Sequence, residues 1–197
     1  MKLTRAGIKD RAAWEKAGIT LPGYDVEAVS EKAKKEPVWV HFGIGNIFRV
    51  FIGGIADGLL EEGVMDRGIT CVETFDYDVV DKIYQPYDNL GLNVILHGNG
   101  TREYKVIGSL AEAVKAQASD PEQWKRLKEI FASSSLQLVS FTITEKGYAL
   151  HRADGTWLPY VAADIQNGPE KATGAMAVLV AMLYVRYQVG KYPLALV

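Results

Sequence analysis

Cysteine and histidine are both scarce in this chain of 197 residues, which has one of the first and three of the second. A lone Cys71 cannot form an internal disulfide, and His41, His97 and His151 stand too far apart to suggest a metal-binding motif. Neither an oxidised scaffold nor a structural metal is expected, and a reducing cytoplasm is. An excess of charge is missing too: 22 basic against 24 acidic side chains leave a formal net charge of -2. That balance gives no electrostatic footprint for nucleic acid or an anionic membrane surface. The most apolar run, Ala172 to Val185, stops at Arg186, short of the ~20 residues that a membrane span needs, and the N-terminus lacks the apolar stretch of a secretory signal. What remains is 48% hydrophobic and 23% charged, without repeats or low-complexity segments, which suits one globular core.

Residues 1–36 read as a helical extension at the surface, two short helices around Leu21-Pro22-Gly23 with Asp25 capping the second. From Pro37 the pattern changes. Val38-Trp39-Val40-His41-Phe42 is a β-rich run that ends in Gly43-Ile44-Gly45, and from Asn46 the residues Ile47, Val50, Phe51, Ile55 and Leu59 recur at helical spacing. Ile69-Thr70-Cys71-Val72 is a second strand, ending at Glu73 and followed by a helical segment from Tyr77 to Tyr84. The runs around Val94 and Val106 flank Gly98-Asn99-Gly100, an Asn-Gly turn that predicts an antiparallel hairpin. Ser109 to Glu112 has capping-box spacing and predicts a helix to about Gln117. Asp120-Pro121 opens another, with Trp124, Leu127, Ile130 and Phe131 on one face. Leu136 to Ile143 reads as a strand, Gly147 to Leu158 as a loop or small hairpin, Glu170 to Gln188 as a deeply packed helix, and Pro193 to Val197 as a last strand. An apolar strand at that position leads to the expectation of further chain beyond Val197.

Alternating strands and helices predict an α/β fold with a mostly parallel sheet, whose ligands sit beyond the carboxyl ends of the strands. Gly43 and Gly45 at the end of the first strand permit a tight turn whose amides approach a pyrophosphate, helped by the positive end of the following helix. Phe48 replaces the third glycine of G-x-G-x-x-G and demands a wider placement of that helix. Glu73 can accept hydrogen bonds from both hydroxyls of an adenosine ribose and would repel a 2′-phosphate, which favours NAD over NADP; Asp76 and Asp78 can exchange roles with it. Thr144 and Glu145, where a strand runs out at the ligand edge, can line the nicotinamide half. Lys146 reads as an exposed turn lysine more readily than as a general base, and Arg49 as solvated or ion-paired more readily than as a phosphate ligand. His41 reads as a packed histidine, Cys71 as a small core residue.

His41-Phe42-Gly43-Ile44-Gly45-Asn46-Ile47-Phe48-Arg49, Val106-Ile107-Gly108-Ser109 and Thr142-Ile143-Thr144-Glu145-Lys146-Gly147-Tyr148 together resemble the polyol-specific long-chain dehydrogenases. The resemblance covers most of the chain from Val38. It implies a Rossmann-like doubly wound domain over residues 37–197, with helices on both faces and an inserted β-hairpin, that binds NAD. It also implies that Gly43, Ile44, Gly45, Asn46, Ile47 and Phe48 form the pyrophosphate turn, that Glu73 meets the ribose, and that Thr144 and Glu145 border the nicotinamide. The expected substrate is a small polyol or sugar acid. The Thr-Glu-Lys-Gly-Tyr form points to mannonate and fructuronate, with mannitol next, whereas the Gly-Asn-Ile turn points to the mannitol 1-phosphate branch. The family's catalytic lysine belongs to a second, mostly helical domain, expected beyond Val197, so no residue of this chain is assigned as catalytic.

Overall fold

Short runs rich in β-branched and aromatic residues pair side by side in the computed structural model, which describes residues 1–142, 149–168, 171, 175–190 and 193–196. The strands are β1 (Ile19–Thr20), β2 (Trp39–Phe42), β3 (Ile69–Glu73), β4 (Gly91–Leu96), β5 (Arg102–Ile107), β6 (Leu110–Lys115), β7 (Leu138–Phe141) and β8 (Ala195–Leu196). A 5-stranded sheet has the order β6-β3-β2-β7-β8, and each neighbouring pair is parallel. The winding reverses between β2 and β7, the topological switch point of a Rossmann-like doubly wound sheet. β4 and β5 form the antiparallel hairpin that the Asn-Gly turn predicts, and β1 joins it in parallel.

The helices are α1 (Arg11–Lys16), α2 (Val26–Lys35), α3 (Gly53–Glu61), α4 (Pro121–Ala132), α5 (Pro159–Asn167) and α6 (Ala175–Val189). Asp25 caps α2 through the amides of Glu27 and Ala28, and Asp120 caps α4 through that of Gln123. α3 continues a helix that begins at Asn46 and passes through a π-type stretch, Phe48–Ile52.

Alternation along the strands divides the core into two layers. On one face of the sheet, Val40, Phe42, Val72, Val114 and Val139 meet Trp124, Leu127, Ile130 and Phe131 of α4 and Val178, Leu179 and Met182 of α6. On the other, Ile69, Cys71 and Trp39 meet Ile44, Phe48, Ala56 and Tyr84 under the helix from Asn46. Each such fully buried side chain contributes about 1.5–3 kcal/mol over its exposed state. Arg186 of α6 donates to the carbonyls of Phe131, Ser133 and Leu136, tying α6 to the end of α4.

Four expectations change. Residues 110–115 are a strand, not the start of a helix: pairing with β3 buries Leu110, Ala111 and Val114, and this outweighs the helix propensity of Ala and Glu. Residues 1–36 are packed rather than peripheral, since Trp14, Leu21 and Val26 form a third cluster with Leu90 and Val106. The carboxylate of Asp57, fully buried in α3, anchors that region by accepting from the Tyr24 hydroxyl (2.5 Å) and the Gly108 amide (3.0 Å) and pairing with Lys105 (2.8 Å). The apolar stripe Ile47, Val50, Phe51, Ile55 faces outward, while Phe48, Gly53, Ala56 and Leu60 face the sheet. The π-type stretch holds one residue more per hydrogen-bonded turn and shifts the phase of the helix. Finally, α6 is buried on one side only, with Val180, Tyr184 and Tyr187 exposed. Among the described residues, no helix is long and apolar enough to cross a membrane.

Candidate functional site

The carboxyl ends of β2, β3 and β7 bring three sequence features to one edge: the glycine turn after Phe42, Glu73 at the end of β3, and Thr142 just past β7. The two glycines of the turn do different work. Gly43 has φ +88, and a Cβ there would lie 2.2 Å from the Thr142 carbonyl oxygen, so the close approach of β2 to β7 requires glycine. Its amide donates to the Val72 carbonyl (3.1 Å) and is engaged within the sheet, contrary to the expectation that it faces a pyrophosphate. A Cβ on Gly45 would meet nothing within 4 Å, which leaves open space over the turn.

Ile44 and Phe48 are fully buried, so only their main chains can take part in the turn. The Ile44 carbonyl accepts from the Tyr84 hydroxyl (2.8 Å), which pins the turn from below. Asn46 and Ile47 begin the helix and are exposed; their amides have no acceptor inside it. The Glu73 carboxylate, 8% exposed, leans toward the turn. It accepts from the amides of Thr74 (2.9 Å), Phe75 (3.1 Å) and, at a longer 3.4 Å, Ile44. Asp76 and Asp78 are exposed, and Asp78 is paired with Lys82, so Glu73 is the acid that lies against the turn. Arg49 turns back onto the side-chain oxygen of Asn46 and lies over the Tyr84 ring. Thr144, Glu145 and Lys146 lie outside the described residues.

Beneath the turn runs a buried polar ladder along the β2–β7 seam. The Trp39 indole N–H donates to Ser140 Oγ (2.7 Å), Ser140 Oγ lies 2.7 Å from His41 Nδ1, and His41 Nε2 is hydrogen-bonded to Thr142 Oγ1. The imidazole stacks on Phe48, with centroids 4.1 Å apart. Burial pushes the pKa of His41 down to about 4, which keeps it neutral at pH 7. Burial also pushes the Cys71 thiol up, away from the thiolate a nucleophile needs. Ser140 and Thr142 stood out little in the sequence; the readable signal was two hydroxyl residues two positions apart, hence on one face of a strand.

No protein-family model matches the chain. Its sequence is 48% identical over 196 residues to the D-mannonate oxidoreductase of Thermotoga maritima, a match that spans 100% of this chain and 36% of that protein. Its fold superimposes on a D-sorbitol dehydrogenase in substrate-free form with a TM-score of 0.73 and 27% identity, over 91% of this chain and 36% of the other. The chain is thus similar over its length to one part of these oxidoreductases. A second structure with this fold, the ternary complex of Pseudomonas fluorescens mannitol 2-dehydrogenase with NAD and D-mannitol, aligns with a TM-score of 0.78 and 23% identity, over 100% of this chain and 38% of that one. The polyol:NADP oxidoreductase of Gluconobacter oxydans is 28% identical over 88% of this chain. The chain therefore spans little more than a third of the length of these relatives.

Proposed function

We propose that residues 37–197 hold NAD for a dehydrogenase that interconverts a hydroxyl of a polyol or aldonate and the corresponding ketone. Mannonate and fructuronate are the favoured pair, mannitol and fructose the next. The observation that carries the reading is the switch-point crevice itself, where open space over Gly45, the start of a helix and a nearly buried carboxylate adjoin one another. The 48% identity to a D-mannonate oxidoreductase supports the choice of substrate.

In this reading the amides of Gly45, Asn46 and Ile47 hold the pyrophosphate against the positive end of the helix, while Gly43, Ile44 and Phe48 shape the turn. Glu73 takes the ribose hydroxyls. A carboxylate offers about four acceptor positions, and three amides converge on this one, so an acceptor position remains. Thr144 and Glu145 border the nicotinamide. NAD, when bound, supplies the hydride acceptor. The residues of this chain bind and orient, and the proton acceptor is a lysine of a second helical domain rather than Lys146. In this reading residues 37–197 supply the binding and orienting part of the enzyme. The single cysteine, buried and unreactive, supports a cytoplasmic setting.

Fluorescence titration tests the cofactor. NADH is expected to bind about tenfold or more tightly than NADPH, the order of one charge–charge contact near a protein surface, and Glu73→Gln is expected to narrow the gap. Absence of binding by either dinucleotide would end the reading, and a gap unchanged in Glu73→Gln would remove Glu73 from the ribose.

A further inference from the structure

The polar ladder under the glycine turn has a direction. An indole N–H can only donate, so the Ser140 hydroxyl accepts from Trp39 and has its own proton free for His41 Nδ1. A neutral imidazole whose Nδ1 accepts carries its proton on Nε2, which then donates to Thr142 Oγ1. The opposite orientation leaves the Ser140 proton without a use in a closely packed interior, and the depressed pKa of His41 excludes the doubly protonated ring at neutral pH. With its oxygen accepting from His41, Thr142 turns its hydroxyl hydrogen away from the ladder. Thr142 is partly exposed and stands at the end of β7, beside Gly43 and across β2 from Glu73, so away from the ladder means toward the crevice. Since Glu73 on β3 marks the adenosine side and the glycine turn on β2 the pyrophosphate, β7 underlies the nicotinamide half.

We infer that His41 is a positioning residue: fixed as its Nε2–H form by Trp39 and Ser140, it sets the Thr142 hydroxyl as a donor to an oxygen of the nicotinamide half, the ribose or the carboxamide. The inference rests on the dinucleotide reading above. Stacking on Phe48 completes the arrangement, because it fixes the plane of the ring that links the two hydroxyls.

The test compares NADH with ADP, which lacks the nicotinamide half, by calorimetry on the full chain. His41→Phe keeps a ring against Phe48 but removes both nitrogens. It is expected to weaken NADH about tenfold, the scale of one well-placed hydrogen bond, and to leave ADP within about twofold. Thr142→Val should do the same, and adding His41→Phe to it should cost nothing more, because His41 acts through that hydroxyl. Equal losses for NADH and ADP, additive losses in the double variant, or unchanged NADH affinity would each overturn the inference. Binding of neither compound by the unmodified chain would instead sink the dinucleotide reading, and this inference with it. A long-range proton–nitrogen NMR spectrum gives a readout that does not depend on the variants folding. His41 should show a protonated Nε2 and a bare Nδ1 at pH 7, and the reverse tautomer or an imidazolium would refute the direction of the ladder.

Discussion

The two faces of the main sheet are built on different principles. Under α4 and α6 the centre of the sheet is aliphatic and aromatic, with Phe42 stacked on Phe141 and tilted against Phe131, and its polar residues, Thr70 and Glu112, are gathered on β3 and β6, where Glu112 is paired with Arg126 of α4. Under the helix from Asn46 the same strands present Trp39, His41, Cys71 and Ser140, and the helix itself carries a π-type stretch. Apolar packing tolerates small shifts at modest cost, whereas a buried polar ladder works only when every donor finds its acceptor. One face thus supplies stability and the other fixes where the atoms at the crevice stand.

Three measurements sharpen that contrast. The largest effect is expected on the apolar face, where Phe131→Ala should lower unfolding free energy in urea by about 3–5 kcal/mol without changing the affinity of the folded fraction for NADH. An equal effect on binding would mean that the two faces are not separable. Next comes the pH dependence from the polar face. His41 has a folded pKa of about 4, below its unfolded value near 6.5, so the unfolded chain binds more protons in between. Its contribution is fully present above about pH 6.5 and is lost as the pH falls toward 4, by up to about 3 kcal/mol. Unfolding curves for the native chain and His41→Phe should therefore converge or cross in acid, and parallel curves would contradict a buried neutral imidazole. The smallest effect is expected at the rim, where Gly45→Ala should leave the thermal midpoint within a few degrees yet weaken NADH about tenfold. If affinity is untouched, no phosphate approaches Gly45.

Local chemistry was the legible part of this fold. Asn99-Gly100 gave the hairpin, and Asp120-Pro121 with Trp124, Leu127, Ile130 and Phe131 gave α4 and its buried face, because each signal lies within one turn or one helix. The glycine turn and Glu73 were readable as neighbours only through the expected parallel order of the strands. What the sequence could not reveal depends on contacts between distant segments. Ala111, Glu112 and Ala113 favour a helix until β3 lies beside them. Ile47, Phe51 and Ile55 looked like a buried stripe because a one-residue π-type offset leaves no mark in the pattern. His41 read correctly as buried, yet its partners Ser140 and Thr142 lie about a hundred positions away and meet it only through the β2–β7 register.

Asp57 gives this architecture its cooperativity. Tyr24 of the N-terminal arm and Lys105 and Gly108 at the end of the hairpin converge on one sequestered anion in α3. Were the N-terminal arm or the hairpin to peel off alone, that charge would be stranded in a greasy environment, at a cost that makes partial melting a poor option. The arm, the hairpin and the helix that leads away from the glycine turn are thereby bound to open together or not at all, and fraying at the edge of the molecule is kept from loosening the turn one helix away.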